Sequence, residues 1–261
     1  MKSRRPNLKL CFLEITTRCN YKCKHCFGYS EKKFKSAEIP YERVKEIVKD
    51  YSFITISGGE PTVHSRFDDV LKMLSNKKVV SIVTNGSHPE YVKKYRNYVW
   101  GTSVDGDETY HDANRGVNGA FSKAMEVLKE EHTYISSCVS EESFSQIPYL
   151  CSLAETLKRP ITFTYKSPEV NRVTIKKWND EIIKQNCRWL VDTQKCLDWR
   201  LRQNWFDCNC IRVDGYFSDG TIANCFNPHK NCTGCVTNCA SQLVDLYKVT
   251  LRFNSLLYHQ K

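Results

Sequence analysis

Between residues 9 and 165, short runs rich in β-branched and aromatic residues alternate with longer amphipathic stretches, and this alternation constrains the fold most. KLCFLEI (9–15), SFITIS (52–57), VVSIVT (79–84), VWGTSV (99–104), TYISSCV (133–139) and ITFTY (161–165) read as strands. Several are nearly continuous apolar runs, the pattern of strands buried on both faces. YERVKEIVKDY (41–51), RFDDVLKMLSN (66–76), PEYVKKYRNY (89–98), GAFSKAMEVLKEEH (119–132) and ESFSQIPYLCSLAETLK (142–158) carry apolar residues at three- and four-residue spacing and read as helices. Pro148 is a local irregularity in the last of them. Repeated about six times, strand–helix alternation predicts an α/β fold, a parallel sheet or barrel with helices outside. In such folds the chemistry gathers at the carboxyl ends of the strands.

Past the sixth strand the grammar changes. Residues 166–205 read as further helix, most clearly in VTIKKWNDEIIKQNCRWL. RVDGYFSDGTIANC (212–225) reads as a hairpin turning at Asp219-Gly220. A cysteine-rich loop follows to residue 239, and SQLVDLYKVTLRFNSLLY (241–258) reads as a closing amphipathic helix. Two units are expected, residues 1–200 and 201–261. A chain of 261 residues with 41% hydrophobic and 26% charged residues has ample material for a core, which excludes a disordered tail or a coiled-coil rod. The longest apolar runs, such as VVSIV (79–83), are too short to span a bilayer, and Lys9 and Glu14 interrupt any signal-peptide stretch. A cytoplasmic protein is expected, with no membrane partner.

In a reducing compartment, 14 cysteines point to metal or redox chemistry rather than to a disulfide scaffold. Cys11, Cys138 and Cys151 are scattered and read as small buried hydrophobes. Cys19, Cys23 and Cys26 form one knot directly after the first strand. Thiolates at spacings of four and three can converge on one face of a cubane iron–sulfur cluster, with one iron left open for want of a local fourth ligand. A structural zinc site would be closed by four ligands, and His25, adjacent to Cys26, is poorly placed to be the fourth.

The next strand ends carry polar and glycine residues that packing alone does not explain. Gly58-Gly59-Glu60-Pro61 follows the second strand, where glycines would let backbone approach a ligand and the glutamate could accept from an amine. Thr84-Asn85-Gly86 ends the third. Ser103-Val104-Asp105-Gly106 ends the fourth and continues into His111-Asp112-Ala113-Asn114-Arg115-Gly116.

With these motifs the sequence resembles the radical S-adenosylmethionine (radical SAM) enzymes across about residues 9–165. The CxxxCxxC triple, the GGEP turn and the TNG turn carry the resemblance. It implies a partial (β/α)6 barrel and a [4Fe-4S] cluster on Cys19, Cys23 and Cys26, whose open iron chelates the amino and carboxylate groups of S-adenosylmethionine. It implies that Gly58, Gly59 and Glu60 bind the methionine amine. Reductive cleavage would give a 5′-deoxyadenosyl radical that removes a hydrogen atom from a substrate. The required electron would come from a donor such as flavodoxin or ferredoxin. The stretch SVDGDETYHDANRGVNGAF (103–121) resembles the subgroup with cysteine-rich twitch or SPASM domains, which implies that Ser103 and Arg115 contact S-adenosylmethionine.

The second cysteine group fits such a domain. Gly220 to Cys225 is GX4C, preceded by Cys208 and Cys210 and followed by Cys232, Cys235 and Cys239. A hairpin with cysteines at its base plus a CxxC loop can surround a further cubane; a zinc ribbon is the competing reading. The resemblance favours one auxiliary [4Fe-4S] cluster in a β-hairpin-plus-helix domain. Either Cys208 or Cys210 fits the spacing, and Cys187 with Cys196 could complete a second cluster. Asp207, Asp214 and Asp219 lie near these cysteines but read as turn or solvated carboxylates.

By analogy, the expected function is oxidative modification of a peptide or protein side chain. With the first strand expected near residue 9, no leader-binding domain of about 80 residues is expected ahead of the barrel, which argues against a typical peptide maturase unless a separate partner protein supplies that function. Dehydrogenation of a small alcohol, as in the aminocyclitol oxidases, is the alternative. Glycyl-radical activation fits less well, because the extra cysteines are C-terminal. The net charge of +10 raises nucleotide or RNA modification, yet the lysines spread along helix faces with no aromatic-interleaved basic motif, so nucleic acid is not favoured.

Overall fold

The computed structural model describes residues 10–26, 36–77, 79–165, 172–191, 197, 213–216, 218 and 222–223. Strands and helices alternate as β1 (Leu10–Glu14), α1 (Tyr41–Val48), β2 (Phe53–Ser57), α2 (Phe67–Met73), β3 (Val79–Thr84), α3 (Pro89–Lys94) and β4 (Val99–Ser103). They continue as α4 (Glu108–Arg115), α5 (Ala120–Leu128), β5 (Thr133–Val139), α6 (Ile147–Leu157), β6 (Ile161–Tyr165), α7 (Arg172–Lys184), β7 (Val213–Tyr216) and β8 (Ile222–Ala223). The described strands form one sheet in the order β6-β5-β4-β3-β2-β1-β7-β8. Strands β1 to β6 pair in parallel, as the alternation predicts: a partial barrel whose crossovers are the helices.

Burial along β2 and β3 alternates residue by residue. Ile54, Ile56, Val80 and Ile82 are buried on the helix side together with Leu13 and Ile15 of the first strand and its extension. Each such side chain contributes about 1.5–3 kcal/mol of burial. The opposite face, carrying Phe53, Thr55, Ser57, Ser81 and Val83, is half-buried. These strands are therefore not buried on both faces, as their apolar runs suggest; one face is the concave side of an incomplete barrel. A second core under β5 and β6 gathers Ile135, Val139, Ile161, Phe163, Trp178 and Ile182.

Pro148 needs no kink. Helix α6 begins at Ile147, so the proline sits in the first turn, where its missing N–H has no helical partner to lose. The expected hairpin forms between β7 and β8, with Gly215 opposite Ala223 and Tyr216 opposite Ile222. Strand β7 also pairs in parallel with β1, extending the barrel sheet, and the Tyr216 hydroxyl lies 3.1 Å from that of Tyr51. Residues 224–261, with the expected closing helix, lie outside the described residues. No helix among the described residues is long and apolar enough to cross a membrane.

Candidate functional site

Three of the knotted residues, Cys19, Cys23 and Cys26, sit on the loop beyond β1, at the carboxyl end of the sheet. Cys19 is exposed, Cys23 buried and Cys26 half-buried. Inside the loop, the Tyr21 amide donates to Cys19 Sγ at 3.4 Å and the Cys26 amide to the Cys23 carbonyl at 3.1 Å. From outside, Asn85 Nδ2 donates to Cys19 Sγ at 3.8 Å and to Asn20 Oδ1 at 2.9 Å. Arg115 Nη1 donates to Cys23 Sγ at 3.7 Å, and the Lys24 amide to the Asn114 carbonyl at 2.8 Å. Burial pushes the Cys19 thiol up to about 11, against the Tyr21 amide; it pushes Cys23 up as well, with Arg115 opposing. Such thiols give up their protons to a bound metal rather than to water.

The donor set fits an iron–sulfur cluster. N–H groups aimed at cysteine sulfurs are the contacts cluster thiolates take. No three His, Cys, Asp or Glu among the described residues gather tightly enough for a single ion.

Gly58 and Gly59 follow β2 directly. Their close approach is to the chain itself: a Cβ on Gly59 would stand 2.4 Å from the Arg18 carbonyl oxygen, and one on Gly58 2.4 Å from that of Thr16. The Gly59 and Glu60 amides donate to those same carbonyls at 2.7 and 2.8 Å, so this turn extends the β1–β2 pairing to the cysteine loop. Glu60 is fully buried. Its Oε1 accepts from Thr62 N at 3.2 Å, Thr62 Oγ1 at 2.6 Å and Thr84 Oγ1 at 2.7 Å, and its Oε2 accepts from Asn85 N at 2.6 Å. Burial raises its carboxyl, and these donors work against that rise. The side chain expected to meet an amine is thus turned inward, joining the turns after β2 and β3.

Ser103 ends β4, half-buried on the concave face and opposite Ser136 of β5. Two residues on, Asp105 is fully buried and grips Arg115: Nη2 donates to Oδ1 at 2.9 Å, and Nε stands 2.7 Å from Oδ2. Helix α4 makes this pair possible. The Asp107 side chain caps it by accepting from the Tyr110 amide at 2.9 Å, and Gly116 ends it, which sets Arg115 on the turn facing the cysteine loop. Burial alone would raise Asp105, but the Arg115 charge, with His25 and His111, holds it below the usual carboxylate range. Asn114 Nδ2 lies 2.9 Å from Asp105 Oδ2 and 2.7 Å from His25 Nδ1. His111 Nδ1 accepts the Asp105 amide at 3.2 Å, so the neutral ring carries its proton on Nε2, which is buried without a partner. Burial, then Arg115, brings His111 down to about 4.

Cys208, Cys210, Cys225, Cys232, Cys235 and Cys239 lie outside the described residues, as do Cys196, Asp207 and Asp219. Cys187 is buried in the second core, its Sγ donating to the Cys151 carbonyl at 3.8 Å. Cys11 and Cys151 are buried as expected, whereas Cys138 is half-buried on β5. Nothing in the local sequence assigns Asn85 or Asp105 a role; they stand one and two residues past the parallel strands β3 and β4, where α/β folds place chemistry.

Residues 13–141 match the family model described as the radical SAM superfamily. Among curated proteins, Fe-coproporphyrin III synthase of Methanosarcina barkeri is 27% identical over 219 residues, covering 77% of this chain and 54% of that one. Mycofactocin maturase MftC of Mycolicibacterium smegmatis is 28% identical over 201 residues, covering 68% and 50%. The chain spans about half the length of these relatives. Streptococcus suis SuiB bound to S-adenosylmethionine superposes with a TM-score of 0.66 at 16% identity, covering 97% of this chain and 68% of that one, a likeness of fold. Radical SAM proteins use a [4Fe-4S] cluster and S-adenosylmethionine. The chain carries a radical SAM domain over residues 13–141.

Proposed function

We propose that the chain is a radical SAM enzyme that oxidatively modifies a peptide or protein side chain. The observation that carries the chemistry is the loop of Cys19, Cys23 and Cys26 at the carboxyl ends of parallel strands, with side-chain N–H groups directed at two of its sulfurs. When bound, the cluster and S-adenosylmethionine supply a 5′-deoxyadenosyl radical that takes a hydrogen atom from the substrate. The three cysteines hold three irons. Gly58, Gly59 and Glu60 border the place for the methionine amine; with the Glu60 carboxylate occupied internally, backbone is what this turn offers an amine. Ser103 and the guanidinium N–H groups that Arg115 does not direct at Asp105 or Cys23 are the groups for the methionine carboxylate. Cys208, Cys210, Cys225, Cys232, Cys235 and Cys239 are candidates to ligate an auxiliary [4Fe-4S] cluster that accepts an electron from the substrate.

The peptide reading draws support from relatives. MftC is named a maturase, AlbA of Bacillus subtilis a protein of subtilosin bacteriocin biosynthesis, and SuiB has been crystallised with its precursor peptide SuiA. A second reading, a small-molecule substrate, has its own support in the 219-residue match to a protein named for a tetrapyrrole.

Anaerobic reconstitution tests the assignment. About eight irons per chain are expected for two clusters, and about four for one. Reduced protein with S-adenosylmethionine should release 5′-deoxyadenosine, and Cys23→Ala should abolish that release; cleavage persisting in the variant would sink the reading. Cys225→Ala should remove about half the iron from a two-cluster protein.

A further inference from the structure

Two of the three loop sulfurs are addressed in the same way from different strands. Behind each stands a fully buried carboxylate: Glu60 past β2 and Asp105 past β4. In front of each carboxylate is a donor that it holds in place. Glu60 Oε2 accepts the Asn85 main-chain amide at 2.6 Å, and the Asn85 side-chain amide reaches Cys19 Sγ at 3.8 Å. Asp105 grips Arg115 through Oδ1 at 2.9 Å, and Arg115 Nη1 reaches Cys23 Sγ at 3.7 Å. Among the described residues no side-chain donor reaches Cys26.

Both donors are constrained. The Asn85 amide is oriented by the Ser87 N–H, which donates to its Oδ1 at 2.9 Å, so Nδ2 must face the loop. The Arg115 side chain is 8% exposed, and its charge acts there through little water. Reduction adds an electron to a cluster already negative through its thiolates. A hydrogen bond or positive charge at a ligating sulfur therefore stabilises the reduced state more than the oxidised one, which raises the potential.

We propose that Asn85 and the Asp105–Arg115 pair are positioning residues that set the reduction potential of the cluster, by donating hydrogen bonds to the Cys19 and Cys23 sulfurs. The assignment rests on the reading that Cys19, Cys23 and Cys26 hold that cluster. It gives buried polar residues at two strand ends a role in how readily the first electron is accepted, distinct from binding S-adenosylmethionine.

The test is an anaerobic redox titration of the reconstituted full chain without S-adenosylmethionine, followed by the electron paramagnetic resonance of the reduced cluster. Omitting S-adenosylmethionine removes any contribution of Arg115 to its binding. Asn85→Asp keeps the shape and the Ser87 hydrogen bond but replaces the donor with an acceptor; its midpoint potential should fall below that of the wild type. Arg115→Gln should lower the potential, and Arg115→Lys, which restores the charge, should recover part of the shift. Variants that load iron fully and titrate at the wild-type midpoint would overturn the inference while leaving the cluster reading intact. A wild type that takes up no iron would overturn the reading itself. If neither Asn85→Asp nor Arg115→Gln binds iron, Arg115→Lys decides: a midpoint below that of the wild type supports the inference, and a wild-type midpoint overturns it.

Discussion

The Asn85 amide donates to the Glu60 carboxylate at 2.6 Å, and this one bond ties the turn after β2 to the turn after β3. Two hydroxyls and a second amide complete the ring of donors around Glu60, which has no exposed surface. Replacing it with glutamine would turn an NH2 group toward one of the two main-chain N–H donors, leaving that donor buried and unpaired. Glu60→Gln is expected to cost about 1–3 kcal/mol, read as a drop in the denaturant midpoint at unchanged slope. A variant as stable as the wild type would mean that the ring of donors relaxes freely.

Acid should weaken the fold in two separable stages. His111 has a folded value of about 4, below that of a free imidazole near 6.5, so the unfolded chain binds the extra proton first. Its contribution is intact above about pH 6.5 and is lost as pH falls toward 4, up to roughly 3 kcal/mol in all. Asp105 is also depressed, and its contribution persists above its unfolded value near 3.9, disappearing only at lower pH. Urea midpoints of the metal-free chain between pH 3 and 7 would resolve the stages. His111→Phe should shrink the upper one, leaving the part owed to His132, which burial also lowers.

Asp105→Ala is expected to be the most damaging single change at the site. It leaves the Arg115 guanidinium buried with its countercharge gone, a situation that costs about 3–5 kcal/mol. Chemical denaturation measures the loss. Asp105→Ala with Arg115→Met removes both charges and should recover much of the stability without restoring the hydrogen bond to Cys23; losses of the two single variants that simply add in the double would mean that the pair is uncoupled.

How far the sequence disclosed this arrangement depended on whether the cause was local. The six barrel strands were legible because β-type runs between amphipathic stretches report a parallel sheet directly, and ITFTY is β6 to the residue. Helix α4 was not read, although Asp107 and Gly116 are its cap and stop, since ETYHDANR is mostly polar and stood out as a motif. The pairing of β7 with β1 joins segments about 200 residues apart, and no local pattern announces it. The cysteine loop was legible as chemistry. Which groups touch its sulfurs was not, because Asn85 and Arg115 reach Cys19 and Cys23 only through the folded sheet.

Gly59→Ala should separate the GGEP turn from the cysteine loop. The new Cβ would lie 2.4 Å from the Arg18 carbonyl oxygen and 2.6 Å from that of Thr17, both backbone atoms with no rotamer to change. A loss of about 1–3 kcal/mol is expected from overpacking. Because residues 16–18 lead directly into Cys19, iron uptake should fall more steeply than thermal stability. Full iron content in a chain with a lowered melting temperature would show that the strain is absorbed elsewhere.

On the concave face, Tyr134 of β5 lies across Gly101 of β4, its partner in register, and its hydroxyl comes within 3.5 Å of Ser81 Oγ on β3. A Cβ at position 101 would stand 2.3 Å from Tyr134 Cζ, so the ring lies where any larger residue would have to put its side chain. The ring is buried, and that burial pushes its phenol above the usual range. Gly101→Ala should therefore cost about 1–3 kcal/mol by forcing the ring off the strand. Tyr134→Ala alone should also be destabilising, through the cavity it opens. The double variant distinguishes contact from coincidence: with the ring gone, alanine at 101 has room, and the two losses should fall short of additive by 0.5 kcal/mol or more, roughly the lower bound for residues in contact. Additive losses in a denaturation cycle would remove Tyr134 as the reason a glycine stands at the middle of β4.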